Sequence, residues 1–480
     1  LKTVTFSENL VSIGEYAFYN CRKLASVELP EYLETIGGYS FASSGIESLD
    51  MPDNVVTVSY SAFASCSNLS SVKLSKSLET LSYKAFYDCD KITEIEIPKS
   101  LTNGGSSGVG DYHGAFNKCS GLKKVTFEKG TTRVAKYLFA NCDGLEEIVL
   151  PDTITSIGEN AFYMYNYSDY ANSSNLKTVT FSENLVSIGE YAFYNCRKLA
   201  SVELPEKVET LGYDIFNNCI NLSSVKLSDK IQIIPTEAFA YCKSLTDINF
   251  PTSLTKINDS AFYQCKALVS VNIPVGVTTL GKTVFYDCEA LETVVLPDGL
   301  TSMGTECFRE CSLLEKVTIG KGLTAIPTGT FRGTFVDNIV IPDTVTKIND
   351  YAFGECVNLK KITIPKSVTS ISTNNVFSYP KKMTIYGIAG SYAETYANEK
   401  GITFEEIAVH KHSPEQTYTS DKTGHWHKCT TCNEKVDFAA HISDNGTVTK
   451  KPTEQTEGEK TYKCTVCGYV IRTEPIAKLD

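Results

Sequence analysis

The residues best suited to chemistry lie near the C-terminus of the 480-residue chain. Five of the six histidines and four cysteines fall between His410 and Asp480. Their order is His410-x-His412, then His425-Trp426-His427-x-Cys429-x-x-Cys432, then His441, and last Cys464-x-x-Cys467-Gly468. Two C-x-x-C knuckles can supply four thiolates to one tetrahedral zinc ion, so Cys429, Cys432, Cys464 and Cys467 are the predicted metal ligands. Gly468 permits the tight turn that aims the second pair of sulfurs inward. Two other readings stay open: the same cysteines paired as disulfides in a secreted mini-domain, and a metal site in which His425 or His427 replaces a thiolate. A catalytic metal needs an open position and an acid/base partner. Glu434 is near, but there is no HExxH motif, so the site reads as structural. A segment this poor in apolar side chains needs a staple to fold.

The other thirteen cysteines carry a different signal. Twelve stand three residues after a phenylalanine: Cys21, Cys66, Cys89, Cys119, Cys142, Cys196, Cys219, Cys242, Cys265, Cys288, Cys311 and Cys356. A row of metal sites or disulfides is one reading of such a column. The more economical one is a thiol filling the same small core slot in every repeat, since cysteines stacked in one direction have poor disulfide geometry. Ser44, Thr334 and Pro380 take the place where cysteine is missing, and Cys307 takes the alanine place before Phe308.

The elements that position these residues form a repeat. Its phenylalanine recurs at 18, 41, 63, 86, 116, 139, 162, 193, 216, 239, 262, 285, 308, 331, 353 and 377, mostly 23 residues apart. The frame is AF-x-x-C-x-x-L-x-x-V-x-I/L-P-x-x-L/V-x-x-I/L-G. Leu24-x-x-Val27-x-Leu29-Pro30 alternates as a short half-buried strand, ended by a proline that cannot donate to a ladder. A second extended piece closes on Ile-Gly, as at Ile13-Gly14 and Ile157-Gly158, where glycine is expected to permit a turn. A unit of this length cannot bury its apolar face alone, so the units must stack.

The frame resembles the BspA-like leucine-rich repeats of bacterial and protozoan surface antigens, over residues 1 to about 385. The resemblance implies a curved α/β-type leucine-rich repeat solenoid, made mostly of short parallel β-strands and turns with little helix. It also implies an extracellular or cell-surface protein that adheres to a host or neighbouring-cell surface or extracellular-matrix protein. Residues 410–480 resemble a small Cys/His module at the ends of surface proteins of gut Firmicutes. The expected domains are therefore a solenoid of about sixteen repeats at 1–385, a cap at 386–409 and a zinc-ribbon-like module at 410–480. In the cap, Ser391 and Glu394 fit a capping box and Gly401 a helix stop. Leu1–Glu31 recurs unchanged as Leu176–Glu206, which marks duplication of a block of repeats. The chain opens inside a repeat, so a longer protein, N-terminally truncated here, is expected.

Candidate contact residues fall in two places. Outward strand positions include Glu94, Glu96, Lys124, Glu203, Lys226 and Asp247, a mixed-sign face with no aromatic stripe. Inserted segments at 102–112 and 164–174 lengthen two repeats, and the second carries Tyr165, Tyr167 and Tyr170 as the best local contact site. Other tyrosines beside the Ala-Phe corner, such as Tyr16, Tyr163, Tyr194 and Tyr263, are read as either partner anchors or packing across coils. The net charge of −11 argues against nucleic acid as the main partner, and no apolar run is long enough to span a bilayer. No phosphate-binding loop, nucleotide fingerprint, serine elbow or kinase set occurs. The reading is a noncatalytic protein-binding scaffold, and the alternative is a spacer or targeting region for a missing N-terminal domain.

Overall fold

A computed structural model describes residues 1–105, 113–165, 175–407, 413–430 and 435–479, which divide into two units, Leu1–Glu406 and Ile407–Asp480. The first is a parallel β-solenoid. Most coils contribute a strand of two to four residues, such as Ser201–Glu203, which pairs in register with Ser224–Lys226 of the next. Only the central valine of each strand is buried, because a strand one coil thick has one face on the core. A two-residue strand follows on a second side, as in the ladder Ser12–Ile13, Thr35–Ile36, Thr57–Val58 and Thr80–Leu81.

The third side bears the Ala-Phe corner and is built from turns. In one coil Tyr39, Phe41 and Ser43 donate their N–H groups to the carbonyls of Tyr60, Ala62 and Ala64 in the next. The first and last of these donors, Tyr39 and Ser43, turn left-handed, at φ +51° and +55°. The same two positions recur around Phe18 as Tyr16 and Asn20, and around Phe285 as Thr283 and Asp287. A β-branched residue is poorly suited to that region. Thr283, at φ +50°, is therefore a strained point, offset in part by the 2.8 Å hydroxyl contact with Ser260. Thr283→Asn is expected to stabilise the solenoid by about 1 kcal/mol in urea denaturation, and Thr283→Val to destabilise it by a similar amount.

The repeat glycines serve a purpose other than the expected one. Gly158, Gly189 and Gly212 have no left-handed φ. A Cβ on them would lie 2.2–2.6 Å from backbone nitrogens of the preceding coil. Gly14, with no coil before it in this chain, would meet nothing. Close coil-to-coil approach is the constraint there.

Inside, the phenylalanines form one continuous ladder from Phe18 to Phe377, with neighbouring ring centroids 5.0–6.0 Å apart and planes within 21°. The thiols run beside it. Cys219, Cys242 and Cys265 each donate to the carbonyl of the phenylalanine one coil earlier, at 3.2–3.3 Å. In the coil of Phe331, Thr334 takes the cysteine place, and its hydroxyl bonds the Phe331 carbonyl of its own coil at 2.8 Å. Burial pushes the thiols of Cys142 and Cys307 up to about 12.

The solenoid ends at strand Thr384–Gly387, helix Tyr392–Lys400 and strand Thr403–Glu406, which pairs parallel with the preceding strand. Tyr396 of the helix packs edge-on against Phe377, so the helix covers the last rung. Its start departs from the expected capping box. Ser391 Oγ is buried without a partner, and the Glu394 carboxylate instead accepts the Gly390 N–H at 2.7 Å. Gly401, at φ +66°, ends the helix by donating to Ala397 and Asn398 carbonyls.

The second unit contains two antiparallel three-stranded sheets. One is Pro414–Asp421, Gly424–Cys429 and Lys435–Ala439, and the other is Thr447–Lys450, Gly458–Lys463 and Val470–Ile476. Among its described residues the buried apolar side chains are only Trp426, Cys429 and Cys464. Among the described residues, no helix is long and apolar enough to cross a membrane.

Candidate functional site

The sparse core of the C-terminal unit is organised around four donor atoms. His425 lies on strand Gly424–Cys429 of the first sheet, and Cys464 follows strand Gly458–Lys463 of the second. The Nδ1 of His425 is 3.7 Å from Cys464 Sγ, and that of His441 is 3.6 Å from Cys467 Sγ. One ligand atom from each of the four residues lies within 4.8 Å of the others. Such a set can hold a metal ion.

Local geometry prepares each donor. The Gly468 N–H bonds the Cys464 carbonyl at 2.9 Å with φ +75°, which folds Cys464 and Cys467 into one knuckle. Burial pushes the Cys464 thiol up. The backbone N–H groups of Cys467 and Val466, with the His441 ring and the Ile442 backbone, more than offset this and bring it to about 5. His441 Nε2 lies 2.6 Å from the Asp421 carbonyl oxygen. A carbonyl only accepts, so Nε2 carries the proton and the Nδ1 lone pair of the neutral ring is left for the cluster. The His441 ring also stacks on Tyr469 at 4.7 Å.

Of the predicted ligands, then, Cys464 and Cys467 are brought together. Cys429 is buried at the end of its strand, outside this group, and Cys432 lies outside the described residues. His425 is one of the two histidines raised as a replacement for a thiolate. His441 had no motif to mark it.

The solenoid offers a second candidate at its Ala-Phe corner, a shallow cleft of about 760 Å³. Tyr191, Tyr194 and Tyr241 supply aromatic walls, and Asp214 and Glu237 lie among them. Asp214 is only 8% exposed. Burial, and then the neighbouring Glu237 carboxylate, raise it to about 6. The Asn217 amide donates to both acids, at 2.5 and 3.0 Å. These acids stand at the left-handed corner positions, where residue type varies from coil to coil, so no periodic signal marked them. Tyr163 also lines the cleft and stacks on Tyr165, which is 37% exposed. Tyr167 and Tyr170 lie outside the described residues. Elsewhere the corner tyrosines pack across coils, as Tyr16 on Tyr39 and Tyr263 on Tyr286 do, at 5.0 and 4.8 Å.

On the strand face, Glu94, Glu96, Lys124, Glu203, Lys226 and Asp247 are all exposed. In-register pairing sets Glu94 opposite Lys124, at 3.0 Å, and Glu203 opposite Lys226. Such exposed pairs contribute little stability, but they leave the face locally neutral.

The chain matches the BspA type leucine rich repeat region over residues 1–108, 112–171, 165–291 and 255–384. Among solved structures, it is similar to a leucine-rich repeat protein from Bacteroides ovatus at 24% identity and TM-score 0.58, covering 83% of this chain and 88% of that one. It is also similar to a leucine rich cell surface protein from Faecalibacterium prausnitzii, at 24% identity and TM-score 0.38, covering 67% and 85%. The pneumococcal vaccine antigen PcpA matches at 20% identity and TM-score 0.42, over 79% and 85%. No curated protein sequence matches significantly. With sixteen rungs in register and the repeat match running to residue 384, the chain belongs to the BspA-type leucine-rich repeat family, a noncatalytic solenoid class.

Proposed function

We propose that the protein is an extracellular or cell-surface scaffold whose solenoid binds a protein on a host or neighbouring cell. The observation that carries this reading is the corner cleft, where aromatic walls surround the buried Asp214 and the half-buried Glu237. Arg197 and Lys243 also line the cleft, and between them the carboxylates and tyrosine faces can receive a lysine or arginine head presented by a partner. A column of reduced thiols is usual for a reducing compartment, but its burial shields it in an oxidising medium and so makes it compatible with the outside location that the family resemblance implies. In this reading the C-terminal unit is a small module stapled by one structural zinc, of the kind found at the ends of Firmicutes surface proteins.

The test is saturable binding of the full chain to a panel of extracellular-matrix, epithelial and bacterial-surface proteins. The expected result is micromolar or tighter binding to at least one. It should weaken tenfold or more in an Asp214→Asn/Glu237→Gln double variant and be unchanged by Glu94→Gln/Glu203→Gln on the strand face. Loss with the strand-face variant alone would move recognition to the sheet. Uniform absence of binding would leave the spacer role.

A further inference from the structure

The geometry points to a Cys2His2 zinc site formed by His425, His441, Cys464 and Cys467, whose ion ties the two sheets of the C-terminal unit together. This assignment rests on the reading of a zinc-stapled unit and replaces the four-thiolate set that the paired C-x-x-C knuckles suggest. Zinc bound at 2.3 Å to sulfur and 2.0–2.1 Å to nitrogen, at tetrahedral angles, separates adjacent N and S ligands by about 3.5–3.6 Å. The two N···S distances here are 3.6 and 3.7 Å. Four donors close the tetrahedron, so the site is structural rather than catalytic.

The surroundings fit the same ion. The bond from His441 Nε2 to the Asp421 carbonyl fixes the ring that offers Nδ1, the outer-sphere arrangement typical of metal-bound histidine. His425 is 3% exposed on one sheet, while Cys464 and Cys467 lie on the turn between two strands of the other. Among the described residues, the backbone pairing that joins the segment after the first sheet to the second is the Ser443–Cys464 bridge, in which the Asp444 and Thr465 N–H groups donate to the Lys463 and Ile442 carbonyls at 2.8 Å. The three apolar side chains buried among the described residues are too small a core to hold two sheets together. A metal tie between His425 and the knuckle supplies what the core lacks.

The experiment is zinc content of the purified full chain and of variants, with limited proteolysis before and after chelation. The wild type should carry the ion, and chelation should open residues 407–480 to protease while the solenoid stays resistant. His441→Ala and Cys467→Ser should each lose one equivalent of zinc per chain. His441→Cys should keep that equivalent and restore protease resistance, which separates a ligand from a residue needed only for packing. Unchanged zinc in His441→Ala, with loss in Cys429→Ser, would overturn the ligand assignment and leave the staple standing. A wild type without zinc, whose tail is as resistant after chelation as before, would overturn both.

Discussion

Phe239→Ala is expected to cost the solenoid about 3–5 kcal/mol, the range for deleting a fully buried aromatic ring. Phe239 is wholly buried, and its ring lies 5.7 Å from Phe216 and 5.4 Å from Phe262, nearly parallel to both. Truncation removes two stacking contacts at once and opens a cavity that rigid coils on either side cannot close. In a quasi-one-dimensional fold each coil is held mainly by its neighbours, so the defect also weakens the coupling between the two flanks. Urea unfolding followed by far-ultraviolet circular dichroism should shift to lower midpoint and split toward two transitions. Phe18→Ala is the comparison, because Phe18 is only half-buried in this chain and faces a single rung, Phe41. It should cost less than half as much and leave one transition. A loss under 1 kcal/mol for Phe239→Ala would mean that the ladder is not the continuous core described here.

That ladder was legible because repetition turns a weak local preference into a column. Every copy of Phe, Cys or the strand valine meets its own equivalent one coil away, so a 23-residue spacing carries the packing directly. Glycine shows the limit of that reading. The spacing marked Gly158 and Gly212, but whether they relieve torsion or crowding depends on the distance to the neighbouring coil. The same holds at Ser391, where the capping residues are present and yet Glu394 bonds Gly390. In the C-terminal unit nothing repeats. His425 and Cys464 are 39 residues apart and meet only because two sheets come together, while the nearby C-x-x-C pairs draw attention to each other. The cleft was hidden for a related reason: Asp214 and Glu237 stand at turn positions that Tyr16, Ser61 and Lys84 fill in other coils.

The second large effect is alkaline unfolding driven by the thiol column. Burial raises the thiols of Cys66, Cys89, Cys119, Cys142, Cys219, Cys242, Cys265, Cys288, Cys307 and Cys356, with Cys142 at about 12 and Cys356 at about 11. In the unfolded chain the same groups release their protons near pH 9. Between pH 9 and roughly 11–12 the unfolded state therefore binds fewer protons than the folded one, and stability falls as pH rises. Below pH 9 the contribution is fully present. One unit above the unfolded value, each such thiol costs about 1.4 kcal/mol. A 23-residue coil contributes only about 1–3.5 kcal/mol at ordinary stabilities per residue, so one thiol per coil is enough to tip the array. The solenoid should hold its circular dichroism to about pH 9 and lose it cooperatively by about pH 11. Tyrosines titrate in the same window, so the decisive comparison is Cys242→Ala/Cys265→Ala/Cys288→Ala. That variant should be less stable near neutrality, yet its stability should fall by about 4 kcal/mol less than the wild type between pH 7.5 and 10. An unchanged fall would assign the alkaline transition to the tyrosines and leave the thiols as simple packing.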